Sequence, residues 1–230
     1  MATAENHLVD RLPDDERTRL LAVCEPVDLA LSTILGERGA PILHAYFPVD
    51  AFISLVSLVD GHPGVEVGMI GREGMLGAQI ALDVPVSQMR ALVQGPGRAW
   101  RIGAPALAKV LAHSPALRAG LNRYLYVLMS QQATAAACLR FHLIDQRLAR
   151  WLLMSGDRAH AARFHVTQEF LAYMLGVRRV GVTVAAGALQ RRKLIAYDRG
   201  EMTIVDRAGL EQATCSCYAS DRAAYAEQFE

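Results

Sequence analysis

Residues 164–205 read F-H-V-T-Q-E-F-L-A-Y-M-L-G-V-R-R-V-G-V-T-V-A-A-G-A-L-Q-R-R-K-L-I-A-Y-D-R-G-E-M-T-I-V. The pattern predicts a helix, a tight turn, a second helix and a two-stranded hairpin. Thr167 stands just before an apolar-periodic run, where its hydroxyl can accept a backbone N–H as an N-cap. Gln168 and Glu169 suit the first turn, at the positive end of the helix dipole. Phe170, Leu171, Met174 and Leu175 repeat at helical spacing. Gly176 ends the run, since glycine takes the left-handed C′ conformation without a Cβ clash. A second helix is expected from Arg178 to Arg192, and so short a connection forces a steep crossing. Val182, Ala185, Ala186 and Leu189 are its inward positions. Strands at 194–197 and 202–205 then flank an Asp198-Arg199-Gly200 turn with Gly200 at positive φ.

The outward face of this unit is basic. From Arg178 to Arg199 the single acid is Asp198, although the whole chain carries a formal charge of only +1. A basic face on a near-neutral chain points to a polyanion partner; the plainer alternative is a small α/β domain with solvated charges. On the first reading Arg178 and Arg179 start a recognition helix, where side chains meet base edges. Arginine there can bridge guanine O6 and N7. Thr167, Gln168, Thr183 and Gln190 border the same surface. Arg191, Arg192, Lys193 and Arg199 suit phosphates, which set register without reading sequence.

Upstream, a long helix is expected from Pro115 to about Leu139. Leu121, Leu125, Leu128, Gln132, Ala135 and Leu139 form a stripe near the heptad period, and the Ala133–Ala137 region is small enough for close helix approach. The stripe suits either a two-helix dimer seam or packing on the chain's own β domain. The seam is preferred, because helix-turn-helix modules usually read two half-sites as symmetric dimers. The pattern breaks at Phe141–Asp145. Asp145 is expected to cap a helix from Gln146 to Met154, followed by a charged loop over 155–163. After the hairpin, Asp206 caps a helix to about Cys217, and 221–230 reads as a polar tail.

From Cys24 to about Ile102, short β-type runs recur between glycine and proline punctuation, which predicts an all-β sandwich or barrel. Leu8–Val23 reads as one short amphipathic helix ahead of it. The fold class expected is therefore α+β: a β-roll or jelly-roll at 1–114, a dimerisation helix at 115–142 and a winged helix-turn-helix at 143–230.

The chain has 230 residues, of which 52% are hydrophobic and 20% charged, so a packed core is expected and disorder is not. No apolar run approaches the roughly 20 residues of a membrane helix. The N-terminus lacks a basic segment followed by an apolar one, so a cytoplasmic protein without a membrane partner is expected. Cys24, Cys138, Cys215 and Cys217 are scattered and read as buried thiols; Cys215-Ser216-Cys217 is a tighter spacing than zinc sites prefer. His142, His160 and His165 match no metal motif. No metal site is expected, and no nucleophile with a linked base suggests a catalytic residue or an enzyme.

The order β-roll, long helix, break at Asp145 and winged helix resembles the Crp–Fnr family of bacterial transcription regulators. The resemblance rests most on Asp145-Gln146-Arg147-Leu148-Ala149, Thr167-Gln168-Glu169-Phe170-Leu171-Ala172, Gly176-Val177-Arg178-Arg179, Leu189 to Ile195, and the glycine ladder from Val67 to Gly77. It implies a homodimer, an N-terminal effector domain, a palindromic promoter site on double-stranded DNA and RNA polymerase as a further partner. It places an effector pocket at Gly71, Arg72, Glu73, Gly74, Gly77 and Arg90. Departures qualify this. Gly77 is followed by Ala78-Gln79 where nucleotide-binding members carry Glu, and Arg90 is shifted along its strand from the expected phosphate ligand. Cyclic-nucleotide binding in the usual mode is therefore disfavoured, and no cofactor is assigned. The family's Ser-Arg-Glu-Thr-Val-x-Arg becomes Arg178-Arg179-Val180-Gly181-Val182-Thr183-Val184, so a different operator is expected. Two alternatives stay open: a ligand-independent member whose β-roll is a dimer scaffold, and a ligand-binding β-barrel with a C-terminal protein-interaction module.

Overall fold

The computed structural model describes residues 5–230; the first four, part of the stretch without a visible signal sequence, lie outside the described residues. The chain divides into two compact units, Met1–Leu55 with Met69–Met129, and Val56–Gly68 with Ser130–Glu230.

The first unit opens on two helices rather than the single one expected, α1 (His7–Asp10) and α2 (Asp14–Leu21). Pro13 causes the break: it stands at the N-cap of α2 with ψ at 146°, outside the helical region. Asn6 caps α1 through its Oδ1, which accepts from the Leu8 and Val9 N–H groups. Strands β1 (Glu25–Leu29), β2 (Ile34–Gly36), β3 (His44–Pro48), β4 (Phe52–Ser57), β5 (Val65–Ile70), β6 (Arg90–Gly95) and β7 (Gly97–Gly103) follow. They form a sheet in the order β1-β7-β3 and a second in the order β2-β6-β4-β5, the expected β-roll. β3 and β4 are buried along almost their whole length. Such strands show a continuous apolar run in place of alternation. The short β2 has no such signal in the sequence. A single turn of 3-10 helix, Ala78–Leu82, follows Gly77.

α3 (Ala104–Ala112) leads to α4 (Pro115–Phe141), which runs unbroken past the division between units. Leu117, Leu121, Tyr124 and Val127 of α4 are buried in the chain itself.

The second unit is built on α5 (Ile144–Ala159), longer at both ends than the sequence suggested. Leu143 is its N-cap and Asp145 lies in its first turn, so Asp145 is not the cap. The Gln146 side chain accepts from the Leu143 N–H at 3.2 Å and stops the chain instead. The expected charged loop at 155–163 is largely structured. Ser155 is fully buried, and the small Gly156 admits the Ile204 side chain, which would sit 3.1 Å from an added Cβ. Residues that look like loop by composition are small because the helix is crowded there. β8 (Arg163–His165), also unanticipated, joins β9 (Ile195–Asp198) and β10 (Glu201–Ile204) in a sheet of order β8-β10-β9.

α6 (Gln168–Leu175), α7 (Arg179–Arg191) and α8 (Arg207–Ala213) complete the core with α5, around Leu148, Leu152, Leu171, Val182, Leu189 and Leu210. The expected polar tail is a helix, α9 (Cys217–Phe229). Asp221 is buried on it, with Oδ2 2.5 Å from Nη2 of Arg150 on α5. A charge buried by a partner 71 residues away looks like a solvated tail in sequence. Among the described residues no single helix is long and apolar enough to cross a membrane.

Candidate nucleic-acid interface

The helix-turn-helix forms as its sequence requires. Thr167 caps α6, with Oγ1 accepting from the Phe170 N–H at 3.1 Å. Gly176 (φ +61°) ends α6, while the Gly176 and Val177 N–H groups reach back to the Tyr173 and Ala172 carbonyls. This is a Schellman closure. The axes of α6 and α7 differ by 106°. Val182, Ala185, Ala186 and Leu189 are buried, so the opposite side of α7 faces solvent.

That solvent face carries the residues expected to contact DNA. Thr167, Arg178, Arg179, Thr183, Gln190, Arg191, Arg192, Lys193 and Arg199 are exposed, and Gln168 is half-buried. The Thr183 hydroxyl lies 2.7 Å from Gln168 Oε1 and 3.2 Å from the Arg179 carbonyl, which fixes the α6 N-terminus against the middle of α7. Gln190 donates from Nε2 to the Tyr197 carbonyl at 3.3 Å, tying the end of α7 to the hairpin. The Tyr197 hydroxyl donates to the Val166 carbonyl at 2.8 Å, and burial pushes its pKa upward. Arg163 and His165 on β8 are each held by Glu201, whose carboxyl their hydrogen bonds, His165 first, pull below its usual range. By contrast Arg178, Arg179, Arg191, Arg192, Lys193 and Arg199 form no ion pair among the described residues. Their charge is free for an external anion.

Two features of this surface were not read from the sequence. Val180 and Val184 are 63% and 65% exposed, one turn apart on the outward side of α7. The signal was present: both fall opposite Val182 and Ala186, where an amphipathic helix should be polar. The second feature is backbone conformation. α7 ends in a Schellman closure like that of α6, with the Lys193 N–H on the Gln190 carbonyl and the Leu194 N–H on the Leu189 carbonyl. Its left-handed residue is Lys193 (φ +59°), not glycine. Arg199 (φ +47°) and Gly200 (φ +85°) likewise form a two-residue left-handed turn between β9 and β10. An L-residue there costs roughly 1–2 kcal/mol. Replacing Lys193 with glycine is expected to leave stability unchanged or raise it by up to about 1 kcal/mol. Denaturant melts read that directly, and weaker retention of any duplex by the same variant would show what the lysine is for.

The effector-pocket positions are engaged within the first unit instead of lining an open site. The Gly74 carbonyl accepts from Asn6 Nδ2 at 3.0 Å, and a Cβ at Gly74 would lie 2.0 Å from the Tyr124 hydroxyl. The Arg72 carbonyl accepts from the His7 N–H, and Arg72 Nε donates to the Val49 carbonyl. Glu73 accepts from the Gly71 N–H. Gly77 is buried ahead of the 3-10 turn. Arg90 pairs through Nε with both Glu37 oxygens at 3.0 and 3.1 Å. A carboxylate already occupies the donor edge that a ligand phosphate would need. The expected dimer stripe is only partly exposed. Leu121 and Ala135 are buried in their own chain, while Leu125, Leu128, Gln132 and Leu139 are half-buried. The most exposed apolar side chains on α4 are Tyr126, Met129 and Phe141.

Residues 146–213 match the family model of the Crp-like helix-turn-helix domain. No curated protein matches the chain. Solved structures do. The c-di-GMP responsive global regulator CLP of Xanthomonas campestris is 16% identical, with a TM-score of 0.68 over 84% of this chain and 99% of its own. A putative transcriptional regulator of the crp/fnr family from Eubacterium rectale is 17% identical, with a TM-score of 0.69 over 90% of this chain and 96% of its own. FixK2 from Bradyrhizobium japonicum is 14% identical, with a TM-score of 0.63 over 84% and 98%. At these identities the likeness is one of fold. Residues 146–213 are thus a Crp-like helix-turn-helix domain, and most of the chain has the fold of these solved regulators.

Proposed function

We propose that the protein acts in the cytoplasm as a homodimer that reads a two-fold palindromic promoter site, one α7 helix in each major groove. The observation that carries this reading is the unpaired basic and apolar face of α7. Arg178 and Arg179 stand at its N-terminal end, where a recognition helix meets base edges. Val180 and Val184 beside them suit thymine methyl groups, which apolar side chains read in the major groove. Arg191, Arg192, Lys193 and Arg199 contact phosphates on either side. Exposed Tyr126 and Met129, with Ala133 and Ala136 a turn or two further on, support an α4–α4 seam between copies. RNA polymerase is the expected second partner at such a promoter.

The β-roll is the regulatory domain in this reading, but without a cyclic nucleotide held in the usual way. The Arg90–Glu37 pair and the Asn6–Gly74 contact favour this. They equally favour a second reading in which the β-roll only supports the dimer. An effector can act solely through different affinities for two states of the dimer.

Selection of bound duplexes from a random pool at two salt concentrations tests the proposal. An enriched palindrome is the expected result; salt-weak retention with no enriched sequence would defeat it. On the selected site, Arg179→Ala is expected to reduce discrimination against single mismatches by about 1–3 kcal/mol. Arg192→Ala should instead weaken all sequences alike and reduce the salt slope by about 1 per subunit. Equal weakening of every sequence by Arg179→Ala would remove that residue from base reading.

A further inference from the structure

Three of the four cysteines, far apart in sequence, meet in the second unit with a histidine. Cys138 and His142 are four residues apart, at the end of α4 and in the break before α5. Residues i and i+4 share one side of a helix, and the His142 N–H still bonds the Cys138 carbonyl at 3.1 Å. Cys215 and Cys217 lie at the junction of α8 and α9. One ligand atom from each of the four falls within 4.8 Å of all the others. Cys138 Sγ lies 3.6 Å from Cys215 Sγ, and Cys217 Sγ lies 3.5 Å from His142 Nδ1.

These separations can be compared with what an ion would demand. A tetrahedral zinc with Zn–S of about 2.3 Å and Zn–N of about 2.0 Å sets its sulfurs about 3.8 Å apart and sulfur to nitrogen about 3.5 Å apart. The observed spacings are close to both. An iron–sulfur cluster needs its cysteine sulfurs spread around several iron atoms, which this tight group does not allow. A disulfide needs a bond of about 2.0 Å, and the thiols are free.

We propose that Cys138, His142, Cys215 and Cys217 bind one zinc ion in a closed site of three thiolates and one imidazole. The set is complete at four ligands, as in structural sites, and leaves no position for a substrate. Three thiolates and a neutral imidazole around Zn2+ carry one net negative charge. Arg147 and Arg150 lie near enough to act on the Cys138 and Cys215 sulfurs electrostatically, and offset it. A bound ion would hold the α8–α9 junction against the α4–α5 break. It would thereby close a loop of more than seventy residues.

The site escaped sequence reading because each half is short. Cys-x-Cys and a cysteine four residues before a histidine are weak signals alone, and Cys138 and Cys215 stand 77 residues apart. The packing of α8 and α9 on α5, where Arg150 pairs with Asp221, brings the two halves together.

The test reads metal without DNA, so its failure and a failure of the regulator reading are distinguishable. The full-length protein, purified under reducing conditions, is analysed for metal and then stripped and loaded with Co2+ alone. The expected result is one zinc per chain. Cobalt should give thiolate-to-metal charge-transfer bands and the visible spectrum of a tetrahedral ion. Cys215→Ser and Cys138→Ser should abolish both, while Cys24→Ser, in the other unit, should leave them unchanged. Cys217→His, which keeps a ligand at its position, should still bind cobalt with a shifted spectrum, so loss in the serine variants cannot be put down to misfolding alone. Metal-free protein whose three clustered thiols react freely in the native state, with no charge-transfer band on adding Co2+, would overturn the proposal. So would iron in place of zinc, or a Cys138–Cys215 disulfide in the reduced preparation.

Discussion

Asp221→Ala is expected to destabilise the protein by about 3–5 kcal/mol, the usual cost of leaving one member of a buried ion pair without the other. The Asp221 side chain is 5% exposed and that of Arg150 15% exposed. Asp221 Oδ2 receives both Arg150 Nε at 3.1 Å and Nη2 at 2.5 Å, a two-pronged contact that a neutral side chain cannot reproduce. Its removal leaves the largely buried guanidinium without its carboxylate and releases α9 from α5. Because α5 also packs against α7, the loss should reach the exposed basic face of α7 as well as the melting curve. Urea unfolding of the single variant measures the cost. The double variant Arg150→Met, Asp221→Leu serves as control, since an apolar pair of similar size is often neutral or stabilising in place of a buried ion pair. A loss below about 1 kcal/mol in the single variant, the level of an exposed pair, would mean that α9 does not dock as described.

Gly74→Ala is the second large effect, expected at about 3 kcal/mol or more. An added Cβ would stand 2.0 Å from the Tyr124 hydroxyl and 2.2 and 2.5 Å from two ring carbons. The ring is 2% exposed, so either it or the backbone of the 71–74 turn must move. The turn is pinned by Asn6, itself fully buried, through the Gly74 carbonyl. If the clash with the ring is the cause, Gly74→Ala should add little further loss in a Tyr124→Ala background. A double-mutant cycle by chemical denaturation measures that coupling. Additive losses would show that the glycine is required for something other than room for Tyr124. The result bears on function, because this glycine was expected to border an effector pocket. A position demanded by packing within the unit is a poor place to look for a ligand.

The sequence was sufficient for the recognition unit because its signals are local. The Thr167 cap, the apolar period through Leu175, the Gly176 stop and the Gly200 turn each act within a few residues. The basic run from Arg178 to Arg199 needs only counting to be seen. The β-roll was legible for a related reason: strands buried on both faces leave unbroken apolar runs between turns. What failed were assignments whose determinants lie far away in the chain. Gly156 looks like loop until Ile204 is packed against it. Residues 221–230 look like a solvated tail until Arg150 meets Asp221. The glycine ladder looks like a ligand cradle until Tyr124 and Asn6 fill it. The gathering of Cys138, His142, Cys215 and Cys217 is the extreme case. Local spacing sets which backbone shape a segment can take, so it is written in neighbouring residues. Burial, charge pairing and ligand geometry depend on what the fold brings alongside, and only the tertiary structure decided those.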